Sequence, residues 1–522
     1  MSVVRAILTL VTTLGLATAT ANIPAKAQEN DLSVTFASPI ETLDPHKTSS
    51  VLAGAILRNI YQQLTMATAD GGVGPNLATE WSVAEDRLTW TFKLREGVIF
   101  HDGAPFDADA VVRNFKRLLD SDVVIPGRTN LGPIASVDKI DDLTVKIVTS
   151  KPFSALPIAL SHHVSSILSP KSLDQWGEQV GSNAIAGTGP FKIEAFRLPD
   201  SVILQRNDAY WSEKPTLEKI TLMPRSDGQT RLASLLSGEA DLNFYVAPES
   251  RGRVEADRNF KVEQINGRRM YVIHLPLGRE EFQDRNVRLA LNYAVDREQI
   301  VTTLFHGVAA PVDAAIGPNI FGYKSNFVYP YDPDKAVQLL KDAGWEKDGA
   351  GVLLKDGKPF PTVTLRASRG RYPKDDQLAQ VIAGYLGEIG VPTTLQIEEF
   401  GVFFPGAQAA SKTGTDMVQM GWESAQNDGM TVLCSIYLHG NSYDFGAYEN
   451  PLVAKACDAV NAAFDPAERA KLIEDATAAV YEDAPMIYLV TPAYLVGLKQ
   501  GLQGVTLDPG ENHKFANASW EQ

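Results

Sequence analysis

Residues 88–115 read LTWTFKLREGVIFHDGAPFDADAVVRNF and change their hydrophobic period twice. From Leu88 to Leu94 apolar and polar residues alternate, which predicts a half-buried strand. The next segment, His101–Pro105, has the composition of a tight turn. Asp107 then precedes an amphipathic pattern that continues to Leu118, which predicts a helix with an aspartate N-cap. The sequence therefore predicts strand, turn and capped helix in a mixed α/β domain.

The second half of the chain predicts a parallel unit. A strand over 362–367, a helix over 376–389 and a strand over 393–397 follow one another, and such a crossover joins parallel strands with a right-handed turn. A further buried strand is predicted over 417–422, and a helix over 284–301 has apolar residues at helical spacing. In the first half, a helix is predicted over 51–64 and a hairpin over 138–149.

The first 27 residues predict a secretory signal peptide. Arg5 precedes the apolar stretch Ala6–Ala19, and Ala25-Lys26-Ala27 is a small-x-small cleavage pattern, so the mature chain would begin at Gln28. The apolar run is shorter than the roughly 20 residues of a spanning helix, which argues against an uncleaved anchor. We therefore expect export to the periplasm and no stable insertion in the membrane.

Length and charge narrow the class of protein. Single hydrophobic cores stop growing near about 250 to 300 residues, so a chain of 522 residues predicts more than one lobe. The formal charge is −15 and becomes −17 without Arg5 and Lys26, which argues against nucleic acid and anionic membrane surfaces as partners. In an oxidising compartment Cys434 and Cys457 could pair, although a buried free thiol at Cys457 is equally compatible with the sequence.

Several short motifs follow one another along the chain in a characteristic order. They are TFKLREGVIFHDGAPFDADAV at 91–111, LDP at 43–45, PNLATEW at 75–81, GTGPF at 187–191, NDAYW at 207–211, GEAD at 238–241 and DRNVRLALNYAVDR at 284–297. In this combination the chain closely resembles the extracellular solute-binding proteins of family 5, which serve ABC importers of peptides, nickel and related solutes. The resemblance covers essentially the whole mature chain.

The resemblance implies an architecture. It is an α/β fold of the two-lobed periplasmic binding protein type (type II, large cluster), with an extra subdomain in the first lobe. We expect residues 28–268 and 488–522 to form lobe I, with an inserted subdomain at about 50–186, and residues 269–487 to form lobe II. The chain would cross between lobes near Gly267 and Met486, and these crossings would act as the hinge.

Catalytic motifs are absent from the sequence. It contains no GxSxG elbow, HExxH, GxxxxGK[ST] or CxxC pattern, so we expect a binding protein, not an enzyme, and no cofactor. His162 and His163 are adjacent, but neighbours on a strand point to opposite faces and do not share one metal ion easily. We expect these two histidines at the surface or at a pocket rim, and no metal site.

Two loops of the second lobe are candidates for ligand contact. After the 417–422 strand, Trp422 and Asp428 match by order a tryptophan and an aspartate that meets the ligand α-amino group in peptide-binding relatives. The relatives usually continue Asp-Pro-Asp, whereas Gly429 and Met430 follow here, and Asp428 could instead cap a helix over 430–437.

The other loop follows the 362–367 strand, where relatives often place an arginine against a ligand carboxylate. A planar guanidinium suits a carboxylate because it donates two parallel hydrogen bonds. Arg371 is the preferred residue, Arg369 is second, and the adjacent Tyr372 completes the expected site. The alternative is that the loop is merely solvated.

His439 lies near the place where nickel-binding relatives keep a histidine, but the basic residues that accompany it there have no clear counterpart around His162. The expected function is therefore capture of a short peptide or peptide-like solute between two lobes and its delivery to ABC permease subunits, by a monomer. The alternatives are a nickel or other metal chelate, an opine or a sugar on the same scaffold, and less favoured an enzyme.

Overall fold

The segment 88–115 folds as the sequence predicts. The computed structural model describes residues 30–37, 39–48, 54, 56–68, 72–183, 185–424, 427–441, 443–509 and 513–521. Trp90, Phe92 and Leu94 are buried on one face of the strand, and the Asp107 carboxylate accepts a hydrogen bond from the Ala110 amide at the start of the helix. The alternation and the cap therefore act locally as expected.

The elements of the described chain are numbered here in chain order. The strands are β1 Asp31–Phe36, β2 Thr65–Ala67, β3 Val73–Pro75, β4 Ala78–Val83, β5 Thr89–Leu94, β6 Ile134–Asp141, β7 Thr144–Thr149, β8 Phe191–Arg197, β9 Ser201–Arg206, β10 Lys219–Pro224, β11 Leu242–Phe244, β12 Phe260–Asn266, β13 Met270–His274, β14 Ala309–Pro311, β15 Glu346–Lys347, β16 Leu353–Lys355, β17 Lys358–Pro359, β18 Val363–Arg369, β19 Thr393–Glu399, β20 Met417–Trp422, β21 Met486–Tyr488, β22 Val490–Lys499, β23 Leu502–Gln503 and β24 Ser519–Trp520. The α-helices are α1 Ala108–Leu119, α2 Leu156–Ala159, α3 Pro170–Trp176, α4 Gly228–Leu236, α5 Arg251–Glu255, α6 Glu280–Gln283, α7 Arg285–Tyr293, α8 Arg297–Gln299, α9 Pro333–Asp342, α10 Asp375–Glu388, α11 Phe400–Ser411, α12 Gly429–Ile436, α13 Pro451–Ala462 and α14 Pro466–Asp483.

Two large sheets organise the molecule. The first is eight-stranded, in the order β12-β22-β11-β1-β10-β9-β8 with β14 on β22, and the second is five-stranded, in the order β19-β18-β20-β13-β21. We call the parts built on these sheets the first and the second lobe. In the second sheet β18 and β19 pair in parallel across α10, which confirms the predicted strand-helix-strand unit.

The chain passes between the two large sheets four times, twice on its way to and from β14, which pairs with β22, and twice at the predicted hinge. There it leaves β12 and enters β13 through residues 267–269, and it leaves β21 and enters β22 at Leu489. Gly267 lies where the two crossings touch, because a Cβ atom there would come within 2.3 Å of the Pro492 carbonyl oxygen. These crossings fall where the sequence predicts the hinge, whereas the predicted lobe boundaries and the hinge motion stay predictions.

A four-stranded antiparallel sheet, in the order β4-β5-β7-β6, lies within the expected subdomain. Its buried residues form one continuous hydrophobic core with those of the second lobe, while the first lobe has a core of its own. The Trp90 and Phe464 rings lie 5.9 Å apart, and the Ser154 amide donates to the Asn461 carbonyl oxygen at 2.8 Å. The small sheet thus packs against helices of the second lobe.

Two predicted helices differ from the structure. The helix over 284–301 is broken: α7 ends at Tyr293, and the Asp296 side chain caps a new start by accepting from the Gln299 amide. Of the helix over 51–64, the described part turns at 58–60 and β2 begins at Thr65, so the helix ends earlier than its leucine spacing predicts. In both places a local capping or turn interaction overrides apolar periodicity.

The structure also bears on the expectations for the two cysteines and for a membrane-spanning helix. Cys434 and Cys457 form a disulfide that joins α12 to α13, which decides between the two possibilities left open by the sequence. No helix within the described ranges is long and apolar enough to cross a membrane. The signal peptide falls on residues outside the described part of the chain.

Candidate functional site

A cavity of about 310 Å³ opens between the two lobes, and we call it the arginine cavity. The first lobe contributes Arg231 on α4 and the segment 245–249, and the second contributes Arg269 and the loop 370–374 after β18. Among the described residues that line it, four side chains are basic and only Glu249 is acidic. The cavity therefore carries an excess of positive charge.

The loop after β18 places Arg371 and Tyr372 in this cavity, as the sequence predicts for a ligand loop. The Arg371 guanidinium lies 5.4 Å from the centroids of both the Tyr372 and Phe400 rings. Its buried Nε has no hydrogen-bond partner, and no described carboxylate lies within 4 Å of it. The Tyr372 hydroxyl donates to the Gly421 carbonyl oxygen at 3.3 Å, which ties the loop to β20.

Arg269 is a cavity residue that the sequence analysis did not identify. Its guanidinium pairs with Glu423 and lies 5.1 Å from the Tyr372 ring. A Cβ atom at Gly421 would lie 2.9 Å from the Arg269 Cδ, so this glycine in β20 makes room for the arginine. The pair Arg268-Arg269 directly before a buried strand at the lobe crossing was the available signal.

Glu249 and Lys374 join the two lobes at the edge of the arginine cavity. The Lys374 Nζ lies 3.1 Å from the Glu249 Oε1. Burial would raise the pKa of Glu249, but a backbone hydrogen bond and Lys374 together lower it. Lys374, with φ of +63°, and Tyr245, with φ of +70°, both adopt the left-handed conformation beside the cavity. Such backbone is costly for residues other than glycine and often occurs at functional sites.

Trp422 lines a separate cavity of about 200 Å³, which we call the histidine cavity. Its indole Nε1 donates to the His274 Nε2 at 2.8 Å, and Glu423 lines the cavity beside it. His162 and His163 line the same cavity and are each only 4% exposed, so they lie at a pocket, one of the two positions expected, and not at the surface. Burial lowers the pKa of His163 to about 3 and also lowers that of His162, which keeps both rings neutral.

Asp428 is sealed away from both cavities. Its Oδ1 accepts from the Met430 amide at 2.9 Å, capping α12, and its Oδ2 lies 2.7 Å from the Arg469 Nη2. The side chain is 3% exposed. The helix-cap alternative is therefore what the structure contains, together with an ion pair that the sequence did not indicate.

Arg369 and His439 lie away from both cavities as well. Arg369 is half exposed, lies 3.6 Å from Glu399 and donates to the Ile397 carbonyl oxygen. His439 is also half exposed, with its Nδ1 3.2 Å from the Asp444 Oδ2. The structure thus brings Arg371 and Tyr372 together, places Trp422 in the neighbouring cavity, and separates Asp428, Arg369 and His439 from them. Which of the six contact ligand stays a prediction.

No group of three or more histidine, cysteine, aspartate or glutamate side chains among the described residues is placed to hold a metal ion. The chemistry of the two cavities is instead that of recognition. In the arginine cavity, guanidinium groups and aromatic rings surround a space in which a charged ligand can be paired.

Comparison with protein families decides the class. Residues 72–444 match the model of the bacterial extracellular solute-binding proteins, family 5, middle region. The chain belongs to family 5. The match covers the crossing between the lobes at 267–269 and most of the residues that line the two cavities.

Known family members are similar over nearly the full length. The chain is 29% identical over 512 residues to the glutathione-binding protein GsiB of Salmonella paratyphi A, with 97% of each chain covered. Among solved structures it resembles the periplasmic binding protein DppA from Helicobacter pylori in complex with the peptide STSA, with a TM-score of 0.79, 23% identity and coverage of 94% and 98%. It also resembles NikA from Brucella suis in complex with Fe(III)-EDTA, with a TM-score of 0.81, 25% identity and coverage of 94% and 100%.

Family 5 membership fixes the general function and the fold. The chain is a two-lobed solute-binding protein of the type that serves ABC importers for peptides or related solutes outside the cytoplasmic membrane. Its relatives are binding proteins and not enzymes. The remaining question is which solute the cavity takes and which residues hold it.

Proposed function

We propose that this family 5 protein captures a short peptide or peptide-like solute in the arginine cavity and delivers it to the permease. The observation that carries the proposal is Arg371, a cationic side chain on a cavity bounded by both lobes with no described carboxylate beside it. Arg371 is partly buried, partial burial of a charge is unfavourable unless the charge is paired, and a guanidinium pairs best with a carboxylate. The C-terminal carboxylate of a peptide fits this requirement.

The comparisons favour the same class of solute. The relatives include glutathione-binding proteins, and one similar structure holds a tetrapeptide. Tyr372, Phe400 and Tyr271 supply aromatic surface around the arginine. Such surfaces accommodate peptide backbone and side chains without demanding one sequence.

Ligand binding closes the two lobes about a hinge near Gly267 and Met486. Closure is a shift of population toward the state in which both lobes contact the ligand, so its extent is limited by the ligand's preference for that state. We further propose that the mature protein begins at Gln28, acts as a monomer in the periplasm and performs no covalent chemistry. Lobe I would comprise 28–268 and 488–522, and lobe II 269–487.

An anionic metal chelate or an opine is the second candidate. The excess of basic side chains in the arginine cavity would suit such a solute equally well. NikA in complex with Fe(III)-EDTA is among the similar structures. A sugar has no counterpart charge to offer and is not favoured by this cavity.

Thermal unfolding and calorimetric titration test the proposal. The panel contains di- and tripeptides, glutathione, opines, oligosaccharides, and nickel with histidine. The true solute stabilises the folded state by about 2.7 kcal/mol at a concentration one hundred times its Kd. Binding of an oligosaccharide alone, or turnover of a bound compound, would contradict the proposal.

Two matched variants test the site. Arg371→Met removes a charge from the cavity and should weaken peptide binding by a factor of ten or more, because a hydrogen bond to a charged group contributes about 1.5 to 3 kcal/mol. Arg369→Met removes the same charge two residues away, outside the cavity, and should leave the affinity unchanged. Equal effects of the two variants would mean that only the overall charge matters and would reject Arg371 as the ligand contact.

A further inference from the structure

Arg231 is a buried arginine on the first-lobe wall of the arginine cavity. It lies on α4 and is 7% exposed. Its Nη1 donates to the carbonyl oxygens of Arg225 and Ser226 at 2.7 and 2.8 Å. Its Nε is buried and has no hydrogen-bond partner, and no carboxylate of the described chain lies within 4 Å of it.

Comparison with the other buried arginines shows that this arrangement is unusual. Each of five contacts a carboxylate; these are Arg117 with Asp44, Arg268 with Asp508, Arg269 with Glu423, Arg288 with Asp483 and Arg469 with Asp428. Arg297 has no such partner, but its Nε, Nη1 and Nη2 all donate hydrogen bonds to protein oxygens. Arg231 combines burial, an incomplete set of hydrogen bonds and a position on a cavity.

Arg371 on the second-lobe wall also has a buried Nε without a hydrogen-bond partner, although its side chain as a whole is only partly buried. The other two basic side chains of the cavity are already compensated, because Arg269 pairs with Glu423 and Lys374 with Glu249. Two guanidinium groups, one from each lobe, therefore face a common space without a described acidic partner. A desolvated charge of this kind is stabilised when a ligand supplies the opposite charge.

We propose that the solute carries at least two anionic groups, one bound by Arg371 of the second lobe and one by Arg231 of the first. The ligand class is that of short acidic peptides or peptide-like dicarboxylates. Such a solute ties the two lobes together through its own charges, so that both arginines are paired only in the closed state. This inference rests on the proposed function and specifies the solute of the same site.

Isosteric peptide pairs test the charge directly. Ala-Glu and Ala-Gln, and likewise Ala-Ala-Glu and Ala-Ala-Gln, differ by one carboxylate and hardly in shape. Calorimetric titration at pH 7.5 and low ionic strength should give a Kd at least about tenfold lower for the glutamate member of the better-binding pair. Equal Kd values within both pairs would overturn the inference while leaving the proposed function intact.

A variant locates the second anion site. Arg231→Gln retains donors for the carbonyl oxygens of Arg225 and Ser226 but removes the charge, and it should abolish the preference for glutamate while changing the Kd for the glutamine peptides less than about threefold. The ratio of two Kd values does not depend on the fraction of correctly folded protein. Arg225→Gln is the matched control, because Arg225 lies outside the cavity lining and pairs with Glu239 at 3.7 Å; it should keep the preference.

The remaining outcomes are also decisive. A glutamate preference that survives in Arg231→Gln would reject this residue and therefore the inference. Failure of every peptide in the panel to bind, with an opine or chelate bound instead, would reject the proposed peptide function and the acidic peptide class together. Loss of the preference only in Arg231→Gln supports the inference.

Discussion

The two loops that follow neighbouring strands of the second sheet make opposite use of charge. After β18, Arg371 lies on the cavity between the lobes without a described carboxylate partner. After β20, the Asp428 carboxylate caps α12 and pairs with Arg469, and a disulfide then joins that helix to α13. The same kind of sequence signal, a charged residue in a loop after a buried strand, therefore precedes a cavity-lining charge without a described acidic partner in one loop and an ion-paired helix cap in the other.

The difference shows how to separate binding residues from structural ones. A charge that the protein has already paired contributes to the position of its loop, whereas a charge left facing a cavity is available to a solute.

Asp428→Ala should lower the free energy of unfolding by about 4 kcal/mol, because it leaves the buried Arg469 without its partner and removes the cap of α12. Denaturant unfolding of the variant measures this. The double variant Asp428→Ala/Arg469→Met should recover part of the loss. If Asp428→Ala instead keeps its stability and loses solute affinity, then both loops bind solute and the distinction is wrong.

Removing the Cys434–Cys457 disulfide should destabilise α12 and α13, which follow the loop after β20. Cys434→Ala/Cys457→Ala should lower the free energy of unfolding by about 3 kcal/mol, since the bond closes a loop with a sequence separation of 23 residues. A reductant should lower the unfolding temperature of the natural protein and leave the double variant unaffected. Unfolding that is insensitive to reductant would show that this region is held without the bond.

Acid should destabilise the surroundings of Trp422. Burial lowers the pKa of both His163 and His274 to about 3, so the folded state holds them neutral while the unfolded state protonates them near pH 6.5. Their stabilisation is complete above that pH and is lost as the pH falls toward the folded value. From pH 7.5 to 6.0 the two should reduce the free energy of unfolding by about 1.5 kcal/mol.

The measurement is the unfolding free energy as a function of pH. His274→Gln keeps an acceptor for the Trp422 indole and should remove about half of that contribution from these two histidines. Because His46, His101 and His162 also have pKa values lowered by burial, the total slope of the natural protein should be steeper still. A slope in the variant equal to that of the natural protein would contradict the assignment.

The smallest expected effect is that of breaking the ion pair between Lys374, in the loop after β18, and Glu249 of the first lobe. Lys374→Met should weaken solute binding about two- to fivefold, because a partly exposed pair contributes about 0.2 to 1 kcal/mol to the closed state. Glu249→Gln should have a similar effect, and the double variant should be no weaker than either single one, as a titration would show. Fully additive effects would mean that the two residues act separately.

Sequence patterns predicted most helices and strands of the second lobe but not the side-chain contacts that these elements make. The β18-α10-β19 unit and β20 lie where alternating and helical periodicity place them, because these patterns record which face of each element is buried. The helix expected over 284–301 breaks at Asp296, where a side-chain cap overrides the apolar spacing. Of the two positions expected for His162 and His163, the surface and a pocket rim, the structure has the pocket, where both residues line a cavity and are buried.

In the candidate site too, local sequence patterns did not predict contacts between residues far apart in the chain. Arg371 and Tyr372 were found from their loop, whereas Arg231 and Arg269 were not, because nothing local distinguishes an arginine that meets an acid from one that does not. Arg231 lies 140 residues before Arg371 in the chain, and only folding brings the two to one cavity.

The sequence by itself determined the family, the α/β character and the loop after β18 that lines the cavity between the lobes, because periodicity, caps and motif order are properties of neighbouring residues. Only the tertiary structure decided which charges are paired, whether the cysteines are joined, and which arginines share a cavity. Those outcomes depend on distances between residues far apart in the chain, and the interaction of charges depends on distance and burial, which local sequence does not contain.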